Sequence, residues 1–122
     1  MAKITGLGGV FYVVADPEAT RTWYREKLGI DGEYGPQLSW SEEEGEEPYS
    51  LITHHKHDNY IKPSTGGIMI NLRVDDLDGF IELLKSRDIE VLDSVDEGYG
   101  KFAWVLDPNR VKIELWQQIE AP

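Results

Sequence analysis

Two stretches of the chain carry the same succession of periodicities. "FYVVADPEATRTWYREKLGI", from Phe11, opens as an alternating strand that ends at an acid, Asp16, and continues with Ala19, Trp23, Tyr24 and Leu28 near helical spacing. "NLRVDDLDGFIELLKSRDIE", from Asn71, repeats that order, with Leu77, Phe80, Ile81 and Leu84 as the apolar stripe of its helix. Asp16 and Asp76 stand 60 residues apart, about half of a 122-residue chain. Such a spacing describes one duplicated module, because a solenoid would show three or more copies.

Local signals agree in both halves. Asp16 is placed to cap the first helix, Pro17 fills its first turn, where a missing N–H costs nothing, and Gly29 ends it. Asp75 or Asp76 caps the second. Helical spacing predicts Trp23 and Tyr24 as core residues. Three strand candidates follow each helix. In the first half they are a short one over 30–34, "QLSWSE" (37–42) and "PYSLITH" (48–54), with the acidic run "EEEGEE" (42–47) as a solvated hairpin tip. In the second half they are "IEVLDS" (89–94), "KFAWVLD" (101–107) and "VKIELWQ" (111–117), the last two joined by the turn Asp107-Pro108-Asn109-Arg110. The predicted fold is α+β, βαβββ twice, in a single domain over 1–122. Module 1 covers about 6–54, a linker with Pro63 and "TGG" about 55–67, and module 2 about 68–117.

Charge and composition narrow the partners. The formal net charge of −11 sets nucleic acid and anionic membranes aside, since binding to phosphate is driven by Lys and Arg displacing counterions. Without cysteine the chain has no disulfide, thiolate nucleophile or zinc-thiolate site, which fits a reducing, cytoplasmic setting. No signal peptide is evident, and no stretch approaches the roughly 20 apolar residues of a membrane span.

A duplicated βαβββ chain with "VVADPEATRTWYREKLGI" opening one half and "DPNRVKIELW" closing the other resembles the glyoxalase, bleomycin-resistance and extradiol-dioxygenase superfamily, the vicinal oxygen chelate fold. The family's closing motif usually reads Asp-Pro-x-Gly-Asn-x-x-Glu-Leu; here Asn109-Arg110 stands where Gly-Asn is common. The resemblance implies curved sheets around a cavity, with a divalent ion held by one ligand from the first strand of each module and others from the last strands. Glu114 matches the carboxylate of the final strand. Counting back from Asp16 puts the first-strand ligand at Gly9, which has no side chain. The matching count in module 2 reaches Met69, or Asn71 after a shift of two, and a thioether suits a hard ion poorly. In the last strand of module 1 the inward residues are Leu51 and Thr53, or Ile52 and His54, and only His54 of these could ligate. About three protein ligands are needed. The expectation is a site without metal or other cofactor, with Glu114 and His54 the candidates if a divalent ion does bind. The cluster His54, His55, His57 and Asp58 reads as surface or structural.

Strand alternation supplies the remaining site residues. If Glu114 faces inward, so do Lys112 and Trp116. The neighbouring faces carry Phe11 and Val13, and Met69, Asn71 and Arg73, with Trp104 and Trp40 as aromatic walls. An apolar hollow with a few polar handles describes a small-molecule site. Two functions follow. One is binding of a small organic molecule, as the bleomycin-resistance members hold a cationic drug. The other is a glyoxalase-like lyase or isomerase with Glu114 as ligand or general base and Arg73 stabilising an oxyanion. A homodimer is expected, as family members pair their modules across chains.

Overall fold

The computed structural model describes residues 1–39 and 49–119. The expected acidic hairpin, Pro48 and Trp40 lie outside them. The elements run β1 (Ile4–Val13), α1 (Pro17–Trp23) continued by a π-helical turn (Tyr24–Leu28), β2 (Gln37–Ser39), β3 (Tyr49–His55), a short 3-10 turn (Thr65–Gly67), β4 (Ile68–Val74), α2 (Leu77–Ser86), β5 (Asp93–Asp96), β6 (Gly100–Leu106) and β7 (Lys112–Gln118). Among the described residues, seven strands join one open mixed sheet in the order β2-β3-β1-β4-β7-β6-β5. The two modules meet where β1 runs antiparallel to β4. In each, the last strand lies parallel beside the first, β3 on β1 and β7 on β4.

Both predicted caps form. Asp16 accepts from the Ala19 amide at 3.0 Å and Asp76 from the Gly79 amide at 3.2 Å. Asp75 instead accepts from the Lys3 amide at 2.8 Å. Gly29 adopts the left-handed conformation that ends the first helix. The core lies under α2. Leu77, Phe80 and Leu84 pack there on Val74, Ala103, Val105 and Leu115, each large side chain contributing roughly 1.5–3 kcal/mol.

Module 1 departs from expectation in two places. The segment 30–34 forms turns and no strand, because Asp31 is taken by Arg21 at 2.9 Å and Gly29 and Gly35 hold positive φ. Helix α1 buries none of its residues, so Trp23, at 51% exposure, is a surface group and not core, while Tyr24, in the turn that follows, is partly buried against His54 at 5.0 Å. The 3.6-residue pattern marks an apolar stripe; it does not say that a neighbour covers it. In module 2, residues 89–92 are irregular and the edge strand is β5, further along at 93–96.

The register sets the site. Leu51, Gly9, Asn71, Glu114 and Trp104 form one row across five strands, and Thr53, Phe11, Met69 and Lys112 the next. A register shift between Leu7 and Gly9 turns Gly8 to the concave side, where a bulge changes the parity of β1.

Candidate functional site

The concave face of the sheet encloses a cavity of about 510 Å³. Eight of its lining residues are aromatic, among them Phe11 on β1, Tyr49 on β3, Phe102 and Trp104 on β6 and Trp116 on β7. Tyr34 and Tyr99, both more than half exposed, stand at its rim. Among the described residues the charged groups of the lining are two acids, Glu97 and Glu114.

Glu114 is 1% exposed, and three donors converge on it. Asn71 Nδ2 donates to Oε1 at 2.7 Å, Trp104 Nε1 to Oε2 at 2.8 Å, and the Tyr60 hydroxyl also to Oε2. Burial pushes the Glu114 carboxyl above the usual carboxylate range. The three donors, with Lys112 nearby, pull it back toward the ionised form. A carboxylate accepts only, so Asn71 must present its amide nitrogen to Glu114. Its Oδ1 is then turned away, buried and without a hydrogen-bond partner among the described residues. That oxygen lies over Gly8, 1.7 Å from where a β-carbon would stand, so only glycine allows Asn71 to sit there.

Of the residues singled out from sequence, Phe11, Asn71, Trp104, Glu114 and Trp116 line the cavity together. Lys112 sits behind its wall. Its Nζ donates to the Tyr60 carbonyl at 2.6 Å and lies 5.3 and 5.5 Å from the Tyr60 and Trp104 ring centres, and burial pushes its pKa down. Arg73 is also buried behind the wall, its guanidinium 5.0 Å from the Trp116 ring centre and 5.7 Å from that of Tyr49, with a bond to Gln118 at 2.6 Å. It is not placed to meet an oxyanion in the cavity. Met69 is fully buried and Val13 packs near Gly67; neither is in the lining. His54 faces the other side of the sheet, its ring 5.1 and 5.0 Å from Tyr12 and Tyr24. It is His55 that turns to the cavity, with Thr53 and Leu51.

The residues fit a divalent ion poorly. Each oxygen of Glu114 is already bonded by a donor, the cavity-facing positions on β1 are a glycine covered by an amide and the phenyl ring of Phe11, and Met69 offers a thioether away from the hollow. The parallel pairs Phe11–Thr53 and Asn71–Glu114 occupy equivalent places in the two modules, and Glu114 is the single acid or imidazole among them. Among the described residues no three His, Asp or Glu side chains gather as a metal site would need.

Tyr60 escapes a reading of strands alone, because it belongs to the segment between modules. Ile61, fully buried, anchors that segment, and Ser64 Oγ accepts from the Lys112 amide at 2.8 Å. The Tyr60 ring thereby stacks on His55 and Phe11, at 5.9 and 6.1 Å. The adjacent apolar pair Tyr60-Ile61 in a polar stretch is the signal that marks it.

A duplicated α+β module whose joined sheet wraps an aromatic hollow around one strand-borne acid defines a class of cavity proteins. Residues 6–115 match the model of the Glyoxalase/Bleomycin resistance protein/Dioxygenase superfamily, and the chain belongs to that family. Comparison with curated proteins finds no match. Among solved structures, a Streptomyces coelicolor methylmalonyl-CoA epimerase in complex with 2-nitronate-propionyl-CoA is 14% identical with a TM-score of 0.70, over 96% of this chain and 99% of the other. Methylmalonyl-CoA epimerase from Mycobacterium tuberculosis is 19% identical with a TM-score of 0.62, over 98% and 90%. A catechol 2,3-dioxygenase is 21% identical with a TM-score of 0.65, over 98% of this chain and 42% of that one. Likeness at these identities concerns the fold. Among the described residues no helix is long and apolar enough to cross a membrane.

Proposed function

We propose that this chain binds a small organic cation with a flat apolar body, without transforming it and without a metal ion. One observation carries the reading: a buried carboxylate, held by three protein donors, forms the polar floor of a hollow walled by aromatic rings. Aromatic faces attract cations, and the lining acids and the net charge of −11 act in the same direction. Asn71 Oδ1 adds an unused acceptor beside the carboxylate. In a thermal-shift assay, phenethylamine and benzamidine are expected to raise the melting midpoint, while phenylacetate does not. Nickel, zinc or iron should bind at well under one equivalent. A shift with the anion only, or a full equivalent of metal lost in Glu114→Gln, would sink the reading.

A lyase or isomerase with Glu114 as general base is the second reading, and the upward push of burial on its pKa is what favours it. The donors weigh against it. Each stabilises the carboxylate over its acid and so lowers its strength as a base.

The partner in solution is a second copy of the chain. Trp23, Leu28 and Leu38 on module 1 are each about half exposed, apolar side chains that a partner could cover. Light scattering is expected to give twice the chain mass of 13.9 kDa; the single mass at working concentration would refute the dimer.

A further inference from the structure

The β3 wall carries polarity that the Glu114 network does not use. Among the described residues, Thr53 Oγ1 and His55 Nε2 are buried atoms without a hydrogen-bond partner, and both residues line the cavity from the same face of one strand. An unpaired buried hydroxyl or imidazole is costly, so a group entering the hollow that satisfies both is favoured over one that satisfies neither. The duplication sharpens the point. Thr53 stands beside Phe11 in module 1 as Glu114 stands beside Asn71 in module 2. One half of the duplicated site thus presents a carboxylate and the other a hydroxyl.

The chemistry at the β3 end is uncharged. The rings of His55, Phe11 and Tyr60 cluster together, His55 lying 5.6 Å from Phe11 and 5.9 Å from Tyr60, and burial favours its neutral form. A neutral imidazole nitrogen and a threonine hydroxyl together suit a group that both donates and accepts, such as a hydroxyl or a carboxamide. Between the two ends, β1 offers Gly8 and the ring of Phe11, so the middle of the ligand meets apolar surface.

We propose that the cavity reads its ligand at two ends, a cationic N–H donor at Asn71 Oδ1 and Glu114, and an uncharged hydroxyl or carboxamide at Thr53 and His55. This deepens the proposed function and rests on it. Isothermal titration with three probes separates the two claims: tyramine carries both ends, phenethylamine lacks the hydroxyl, and 4-ethylphenol lacks the amine. Tyramine is expected to bind about 3- to 10-fold more tightly than phenethylamine, the worth of one neutral hydrogen bond. In Thr53→Val that ratio should fall to near one, and Thr53→Ser should restore it. Should the valine variant fail to fold, as judged by its melting midpoint, Thr53→Ala takes its place with the same expected ratio. A ratio near one in the unsubstituted protein, or one that persists in Thr53→Val, overturns the two-ended site and leaves the cation reading standing. If neither amine binds, or 4-ethylphenol binds as tightly as tyramine, the cation reading falls and the two-ended proposal falls with it.

Discussion

Gly9→Ala is expected to lower stability by about 4 kcal/mol, a large share of the total for a domain of this size, which is on the order of 5–15 kcal/mol. Gly9 has φ +146°, a region that side-chain-bearing residues rarely adopt. An added β-carbon would lie 1.9 Å from the Leu51 carbonyl oxygen and 2.8 Å from the Leu51 nitrogen and carbonyl carbon. All three are backbone atoms of the adjacent strand and cannot rotate aside. Gly9 pairs with Leu51 on one side and Asn71 on the other, so displacing it opens the joint between the modules. Gly8→Ala provides the contrast. Its β-carbon meets the Asn71 side chain and the Trp116 indole, which can move, so it should fold while disturbing the bond from Asn71 to Glu114. Urea unfolding measures both. A Gly9→Ala midpoint equal to that of the unsubstituted protein would show that β1 is not bulged as described.

The same bulge marks where sequence reasoning stops. Asp16, Asp76 and Gly29 act locally, through one hydrogen bond or one backbone angle, and their roles are readable from neighbours in the chain. Period-two alternation likewise suffices for β7 and β4, and so Glu114, Trp116 and Asn71 are found in the hollow. Alternation fails where parity is broken or undefined. Two consecutive glycines let β1 shift register, and on β3 nothing local chooses between the face of Thr53 and His55 and that of His54. Met69 and Arg73 share the face of Asn71 by parity, yet facing the concave side differs from reaching its surface: Met69 is covered and Arg73 lies behind Trp116. Tyr60 depends on contacts 52 and 54 residues away, to Lys112 and Glu114, which no local pattern encodes. Exposure of the α1 stripe is a matter of what packs against it, again a non-local fact.

Glu114→Leu is the substitution expected to cost most at the site itself, about 3 kcal/mol. Leucine, bulkier than glutamate by about one methyl group, restores apolar burial, but Asn71 Nδ2 and Trp104 Nε1 would each lose their acceptor inside the fold, and Tyr60 would lose one near its edge. Glu114→Gln behaves differently. Its carbonyl oxygen can accept from Trp104 and Tyr60 while its amide faces Asn71, which need only turn its own amide over to present Oδ1. The glutamine variant should therefore stay folded but lose both the charge and the free Asn71 Oδ1 acceptor, weakening phenethylamine binding about 10-fold or more. The pH dependence has a definite sign. Burial raises the folded-state pKa of Glu114 above its reference of 4.5, so its contribution to stability is full below that value and is lost as pH rises through the folded-state pKa. Glutamine does not titrate. The unsubstituted protein should thus lose stability relative to Glu114→Gln as pH rises from about 4.5 through that value, measured by urea midpoints at a series of pH values. A difference that is flat with pH would mean that the three donors balance burial, and one that grows in favour of the glutamate as pH rises would mean that they outweigh it; in either case the carboxylate rests in the cavity at no electrostatic cost.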